Sequence, residues 1–125
     1  MAFFALFYDK LMSEEGLVAH IKFDNNSYTI QKISYPVLDK IGKMLVANPN
    51  TNITIAGHTD ANGTNEANRI LGQKRADAVK NYLQDRNVAK TRMITISFGE
   101  EKPVNTANTP KAWSMNRRVV FRELR

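Results

Sequence analysis

From residue 16 onward the chain alternates between two hydrophobic periods, and this alternation constrains the fold more than any other feature. Residues 17–23 place an apolar side chain at every second position, which is typical of a half-buried strand. Residues 37–45 place apolar side chains at helical spacing. Ser34, followed by Tyr35 and Pro36, is expected to cap this helix, and Asn48-Pro49-Asn50 is expected to end it.

The same two periods continue through the second half of the chain. Residues 53–58, 93–98 and 117–124 have the composition of strands, and residues 67–85 have the period of a second helix. The order β-α-β-α-β-β predicts an α/β two-layer sandwich with a mixed four-stranded sheet and two helices on one face. Residues 99–115 are expected to form a loop, whose length is typical of a segment with a functional role.

Length and composition indicate one globular domain. The 125 residues are 42% hydrophobic and include no cysteine, which excludes disulfides, a thiolate nucleophile and cysteine-ligated metals. Residues 16–125 are expected to form the domain, and residues 1–15 either a natural N-terminal extension or a segment added for expression. The apolar run at residues 2–7 is too short for a signal peptide, and no run approaches the length of a membrane span.

Positive charge is concentrated in the second half of the chain. The net charge is +6, and all eight arginines follow residue 60. This asymmetry suggests binding to nucleic acid or to another anionic surface, although scattered surface cations explain it equally well. The chain has no RNP, KH or helix-turn-helix signature, and its aromatic residues do not interleave with the basic ones.

An arginine interrupts the apolar stripe of the second helix. Arg75 lies four residues after Leu71 and four before Val79, and Asn68 shares this face. A charge on a buried stripe requires a partner. Two explanations stay open from the pattern alone: an internal ion pair or extended side chain, and a ligand-binding site.

Polar residues also follow the second strand. His58 and Asp60 are two positions apart, so in extended backbone they would point to the same side. No serine elbow or cysteine supplies a nucleophile for a catalytic dyad. A metal site would require ligands from among His20, His58, Asp24 or Asp60 to converge without a standard ligand spacing. Asp60 is also suited to forming a turn before Asn62-Gly63.

Four motifs in order resemble the OmpA-like peptidoglycan-binding domain, and the similarity covers about residues 17–122. They are Gly57-His58-Thr59-Asp60-x-x-Gly63, Asn68-x-x-Leu71-x-x-x-Arg75-Ala76-x-x-Val79-x-x-Tyr82-Leu83, Gly99-Glu100-x-x-Pro103-Val104 and Asn116-Arg117-Arg118-Val119. The resemblance implies two helices packed on a mixed four-stranded sheet. Gly72 stands where the family usually has serine, and glycine weakens a helix by about 1 kcal/mol relative to alanine.

The resemblance also implies roles for individual residues. Asp60 and Arg75 match the pair that holds diaminopimelate of the peptidoglycan stem peptide. Arginine suits the free carboxylate of that amino acid, and aspartate suits its ammonium group. Four further positions match supporting or pocket-lining residues of the family, namely Thr59, Asn68, Asp24 and Arg118.

The expected function is therefore non-covalent peptidoglycan binding that anchors an outer-membrane or envelope protein to the cell wall in the periplasm. No catalysis, metal, cofactor or nucleic-acid partner is expected, and a membrane would be contacted only through a part of the protein outside this chain. The alternatives are a basic nucleic-acid-binding module and a peptidoglycan-cleaving enzyme.

Overall fold

The computed structural model describes residues 12–13 and 16–124, with side chains from residue 19 onward. Its strands are β1 (Met12–Ser13), β2 (Gly16–Lys22), β3 (Ile53–His58), β4 (Met93–Gly99) and β5 (Arg118–Glu123). They form one sheet in the order β1-β2-β5-β3-β4. β5 is antiparallel to β2 and β3, whereas β3 and β4 are parallel. The predicted mixed four-stranded sheet is confirmed, and β1 adds two residues at the edge of β2.

Within residues 1–15, only Met12 and Ser13 belong to the described part of the chain, and they pair with Leu17 and Gly16. The interpretation of the rest of that segment as an extension or an added sequence lies outside the described residues. These two pairs extend the sheet beyond residue 16, where the sequence pattern placed the start of the domain.

In the described part of the chain, three α-helices accompany the sheet: α1 (Tyr35–Ala47), α2 (Asn65–Gln84) and α3 (Pro110–Asn116). The predicted cap of α1 is wrong, because Ser34 has helical backbone angles and its side chain makes no capping hydrogen bond. A 3-10 turn at Lys32–Ser34 leads directly into the helix instead.

The α3 helix lies within the segment predicted to be a loop. Thr109 caps it by accepting a hydrogen bond from the Ala112 backbone N–H at 3.2 Å, and Pro110 occupies its first turn. This local signal is clear, but seven residues are too few for a hydrophobic period to stand out.

The core lies between one face of the sheet and helices α1 and α2. Alternate strand residues point inward, as the period of two predicts. The buried sheet residues include Ala19, Ile21, Phe23, Ile53, Ile55, Met93, Val119 and Phe121. The helices contribute Leu38, Ile41, Met44, Leu45, Ala76, Val79 and Leu83.

Two glycines bring α2 against β3 at backbone distance. A Cβ atom on Gly57 would lie 1.7 Å from the Gly72 carbonyl oxygen, and one on Gly72 would lie 2.3 Å from Ser97 Oγ. A side chain at either position would therefore push helix and strand apart. The glycine that weakens α2 as an isolated helix is the residue that allows this close packing, which brings Arg75 to the end of β3.

The opposite face of the sheet is only partly covered. It carries alternate residues such as His20, Ala56, Ile96 and Val120, which line a surface groove. In the part of the chain that the structure describes, no helix has both the length and the apolar character needed to span a bilayer.

Candidate ligand-binding site

A small polar pocket forms where the loop after β2, the loop after β3 and the first half of α2 meet. Its volume is about 40 Å³, which suits the charged end of a side chain rather than a whole sugar. The residues that line it are Asn25, Asn26, Thr59, Asp60, Asn62, Asn68, Leu71 and Arg75. Four of the six predicted site residues therefore lie together.

Arg75 is fully buried and bonds to three backbone carbonyl groups. Its Nε donates to the Ser27 oxygen at 2.7 Å, its Nη1 to the His58 oxygen at 2.9 Å and its Nη2 to the Asp24 oxygen at 3.0 Å. These bonds tie the loop after β2 to the end of β3. Arg75 thus maintains the walls of the pocket whether or not a ligand is present.

The Arg75 guanidinium also keeps capacity for a ligand. It has five N–H groups, and the three carbonyl acceptors leave one N–H on each Nη atom. Burial lowers its pKa to about 10, partly offset by the negative charge of Asp60. The side chain is therefore positively charged at neutral pH, and its guanidinium lies 5.3 Å from the centre of the Phe23 ring.

Asp60 is buried and is held by two neighbours. Its Oδ1 accepts from the backbone N–H of Asn62 at 3.0 Å and from that residue's amide at 3.2 Å. Its Oδ2 forms an ion pair with Arg117 Nη1 at 3.4 Å. The two bonds to Asn62 agree with the expected turn, and Arg117 rather than Arg75 is the ion-pair partner of the carboxylate.

Thr59 and Asn68 complete the buried polar lining. The Thr59 hydroxyl donates to the Asp60 carbonyl at 2.8 Å, and its backbone N–H donates to Gly99 at 2.9 Å. The Asn68 amide donates to Glu100 Oε1 at 3.1 Å. Both residues connect the pocket to the turn that follows β4.

Asp24 reaches the site only through its backbone. Its carbonyl oxygen accepts from Arg75, whereas its exposed carboxylate accepts from Gln31 Nε2 at 2.8 Å. The side chains that line the pocket from this loop are those of Asn25 and Asn26.

Arg118 lies away from the pocket. Strand pairing aligns it with Lys22 and His58 on the face of the sheet opposite the helices, and its Nη atoms donate to the carbonyls of Asn116 and Lys102. Neighbouring strand residues point to opposite faces. Arg117, which the sequence reasoning did not select, therefore approaches Asp60 and also donates to the Phe23 carbonyl at 3.0 Å.

The alternation of side chains between the two faces of the last strand would have identified Arg117. Val119 and Phe121 are large apolar residues at odd positions, so the odd positions of this strand face the core and the helices. The two adjacent arginines hid this signal, because each face of the strand receives one of them.

His58 and Asp60 do not share a site, contrary to the extended-backbone expectation. β3 ends at His58 after a register shift, so the period of two does not continue to Asp60. His58 lines the groove on the opposite face of the sheet, and His20 lies there as well. Among residues 12–13 and 16–124, no group of three or more potential ligands is arranged to hold a metal ion.

A second, larger pocket adjoins the first. Its volume is about 300 Å³, and Thr59 lines both pockets. Trp113 on α3 and the amides of Asn105, Asn108 and Asn116 contribute to its wall. A groove of about 610 Å³ between α1 and the segment after α2 lies apart from all the predicted site residues.

The family assignment follows from the motifs and their geometry together. The model of the OmpA family matches residues 22–117. This chain belongs to the OmpA family. The matched range contains the whole small pocket and Arg117.

Several relatives carry names that describe a cell-wall association. The peptidoglycan-associated lipoprotein of Rhizobium meliloti is 45% identical over 100 residues, which are 80% of this chain and 57% of that protein. The chain thus spans less than two thirds of that relative. The protein of the same name in Pseudomonas putida is 37% identical over 118 residues, covering 92% of this chain and 70% of that protein.

Solved structures show the same fold. The crystal structure of the peptidoglycan-associated lipoprotein from Burkholderia pseudomallei has a TM-score of 0.83 and 36% identity, covering 84% of this chain and 89% of that one. The OmpA-like domain of FopA1 from Francisella tularensis has a TM-score of 0.76 at 20% identity, covering 86% of this chain and 71% of that one. The second likeness concerns the fold alone.

Proposed function

We propose that this chain binds bacterial peptidoglycan non-covalently, through the free end of diaminopimelate in the stem peptide. The binding site is the small pocket that Asp60 and Arg75 line. In the whole protein, this contact anchors an outer-membrane or envelope component to the cell wall from the periplasm. Any attachment to the membrane is expected from a part of the protein outside these 125 residues.

The observation that carries the proposal is the presence of two opposite, buried charges in one pocket. Diaminopimelate ends in an ammonium and a carboxylate on the same carbon atom. The second N–H groups of Arg75 suit the carboxylate, and the remaining acceptor capacity of Asp60 suits the ammonium. A pocket of about 40 Å³ admits this charged end and excludes the rest of the chain.

The relatives support the same partner. Proteins that are 45% and 37% identical to this chain are named for their association with peptidoglycan. The neighbouring pocket is lined by Trp113 and by polar residues such as Asn108, and an aromatic surface with polar neighbours suits further parts of the same polymer.

Binding fits the pocket better than cleavage of the polymer does. The Asp60 carboxylate is already engaged by Asn62 and Arg117, as suits a fixed charge that receives an ammonium group. The imidazole of His58, the nearest base along the chain, lies on the other face of the sheet. The proposal therefore assigns no catalytic step to these residues.

Co-sedimentation with purified sacculi tests the proposal. Asp60→Asn preserves the shape of the side chain but removes its charge, so binding should weaken by at least about tenfold, since a charge-assisted hydrogen bond contributes about 1.5–3 kcal/mol. Asp85→Asn removes an exposed carboxylate away from the pocket and should leave binding unchanged. Circular dichroism establishes that each variant is folded.

A titration with two stem peptides tests the chemistry of recognition. A peptide with diaminopimelate should bind, whereas one with lysine at the same position lacks the carboxylate that Arg75 receives. Equal affinity for the two peptides would contradict carboxylate recognition, and full co-sedimentation of folded Asp60→Asn would show that the site lies elsewhere.

A further inference from the structure

A second surface with the character of a binding site lies on the opposite face of the sheet. The groove there has a volume of about 470 Å³ and crosses all four main strands. His20 of β2, Val120 of β5, Ala56 of β3 and Ile96 of β4 all contribute to it. We call this surface the open-face groove. It shares no lining residue with the Asp60 pocket.

The lining of the open-face groove is basic and apolar. Lys102, Arg118 and Arg122 contribute positive charges, and none of the lining residues that the structure describes is an aspartate or a glutamate. Arg118, Val120 and Arg122 follow one another on the same face of β5, at steps of about 7 Å along the strand. A cation, an apolar side chain and a second cation thus form a line across the centre of the groove.

Two buried polar side chains in the groove lack a hydrogen-bond partner at one atom each. Arg118 is 5% exposed and His58 is 4% exposed, yet Arg118 Nε and His58 Nδ1 have no partner among the described residues. A buried polar group of this kind is rare in a folded protein and calls for an explanation. Burial also lowers the pKa of Arg118.

Contacts within the protein hold the cations Lys102 and Arg118 of the groove in place. Phe98 stacks against the His58 ring at 5.4 Å, and Lys102 Nζ lies 4.0 Å from the centre of the Phe98 ring. Arg118 Nη2 donates to the Lys102 carbonyl at 2.9 Å. These contacts order the cations before any partner arrives, which reduces the entropy lost on binding.

We propose that the open-face groove binds an acidic segment of a partner protein, in which carboxylates alternate with apolar side chains. An extended segment along β5 would place two carboxylates at Arg118 and Arg122 and an apolar side chain on Val120. The apolar wall formed by Ala56, Ile96 and Val120 favours such a peptide over a free anion, which would use only the charges. A nucleic acid would use free stacking surfaces, whereas the Phe98 ring of the groove is already stacked on His58 and contacted by Lys102.

Titration of the isotopically labelled chain with synthetic peptides, followed by amide NMR, tests this proposal. The probe is a peptide that alternates glutamate with valine. Its addition should shift amide signals of β5, β3 and β4 on the groove while leaving those of Asn68 and Arg75 unchanged. A peptide that alternates lysine with valine, and one that contains glutamate and glycine only, serve as controls and should bind at least about tenfold more weakly.

Lys102→Glu provides the decisive variant, because Lys102 is exposed and its reversal should leave the fold intact. Affinity for the acidic peptide should fall by at least about tenfold, whereas co-sedimentation with sacculi should be unchanged. Arg118→Met is a second variant, with its fold checked by circular dichroism, and should also lose peptide binding. Loss of sacculus binding in Lys102→Glu would contradict the proposal, because it would indicate that the groove binds peptidoglycan.

Three other probes identify competing occupants of the groove. Inorganic phosphate, a single-stranded oligonucleotide and vesicles containing phosphatidylglycerol are titrated in the same way. Stronger binding of any of these at the groove residues would overturn the proposal, as would the absence of any shift with the glutamate–valine peptide.

Discussion

Individual residues in this domain show that a single side chain can hold the fold together and form the site at once. Arg75 was conspicuous in the sequence because it interrupts an apolar stripe. In the structure it binds three backbone carbonyls and lines the pocket. Of the two explanations that the pattern left open, the structure shows an internal partner, although the acceptors are carbonyl groups rather than a carboxylate; ligand binding by Arg75 belongs to the proposed function.

This double role predicts that Arg75 cannot be removed without loss of stability. In Arg75→Met, three carbonyl groups would lose their donor in a buried environment, so the free energy of unfolding should fall by about 3–5 kcal/mol. Urea unfolding monitored by circular dichroism measures this change. Arg69→Met alters an exposed arginine on the same helix and should change stability by less than about 0.5 kcal/mol.

Equal stabilities for the two arginine variants would contradict the structural role of Arg75. The comparison also matters for the proposed function. An Arg75 variant can lose sacculus binding either because the fold is destabilised or because the contact with the ligand is removed. Asp60→Asn separates them, because the carboxamide can still accept hydrogen bonds from Asn62.

His58 predicts a dependence of stability on pH. Burial, with a smaller contribution from Arg118, lowers the pKa of His58 to about 3 in the folded protein, whereas the unfolded chain titrates near 6.5. Between these values the unfolded state binds a proton that the folded state rejects. The free energy of unfolding should therefore fall as pH falls below 6.5, by up to about 1.4 kcal/mol per pH unit.

Urea unfolding at several pH values between about 7 and 5 tests this linkage. His58→Gln removes the titrating group, so its stability should depend less steeply on pH. Burial lowers the pKa of His20 as well, but less than that of His58, so His20→Gln should retain most of the slope. Identical slopes in wild type and His58→Gln would show that His58 is not the responsible group.

At the scale of elements, the packing of α2 on β3 determines where the site forms. The glycine pair lets the two backbones touch, and the same helix carries Asn68 and Arg75 to the end of the strand that supplies Asp60. Glycine at position 72 does lower the intrinsic helix propensity of α2. Tertiary packing outweighs it, because a larger residue would separate the two elements.

Alanine substitutions at two glycines should therefore have opposite effects. Gly57→Ala places its Cβ 1.7 Å from the Gly72 carbonyl oxygen, so it should lower the free energy of unfolding by about 3 kcal/mol or more. Gly42→Ala places its Cβ 3.6 Å from Leu83, in ordinary contact, and should stabilise α1 by about 0.5–1 kcal/mol. Thermal unfolding of both variants measures the difference. A neutral Gly57→Ala would contradict the backbone contact between helix and strand.

At the scale of the whole molecule, the last strand of the chain is at the centre of the sheet. β5 pairs with β2 on one side and with β3 on the other. Val119 and Phe121, both fully buried, also belong to it. The sheet therefore cannot be completed until the C-terminal residues are available, although the helices and the other strands precede them.

Removal of β5 should consequently unfold the whole domain, whereas removal of an edge strand would leave the rest of the sheet paired. A chain that ends at Arg117 should show no cooperative unfolding transition and should be digested rapidly by protease. A chain that ends at Glu123 retains the whole strand and serves as the control. Cooperative unfolding of the shorter chain would show that the remaining strands form a stable sheet without β5.

Much of the fold could be predicted because its signals are local. The strand at residues 53–58 was predicted with the bounds that the structure shows, since alternation along a strand and its flanking turn residues act over a few positions. The α3 helix was missed because its seven residues are too few for a hydrophobic period, so that only its cap, Thr109, and Pro110 indicate it. The predicted pocket residues Asp60, Asn68 and Arg75 lie together since each follows or belongs to an element that the pattern located.

The sequence alone determined the four main strands, helices α1 and α2, their order and the arginine on an apolar stripe, because hydrophobic period is a property of short segments. Only the tertiary structure decided that β5 lies between β2 and β3 and that Arg75 donates to three backbone carbonyls. Each of these depends on which distant segments pack together. The open-face groove also exists only in the folded sheet, because its lining residues come from four strands and from the segment after β4.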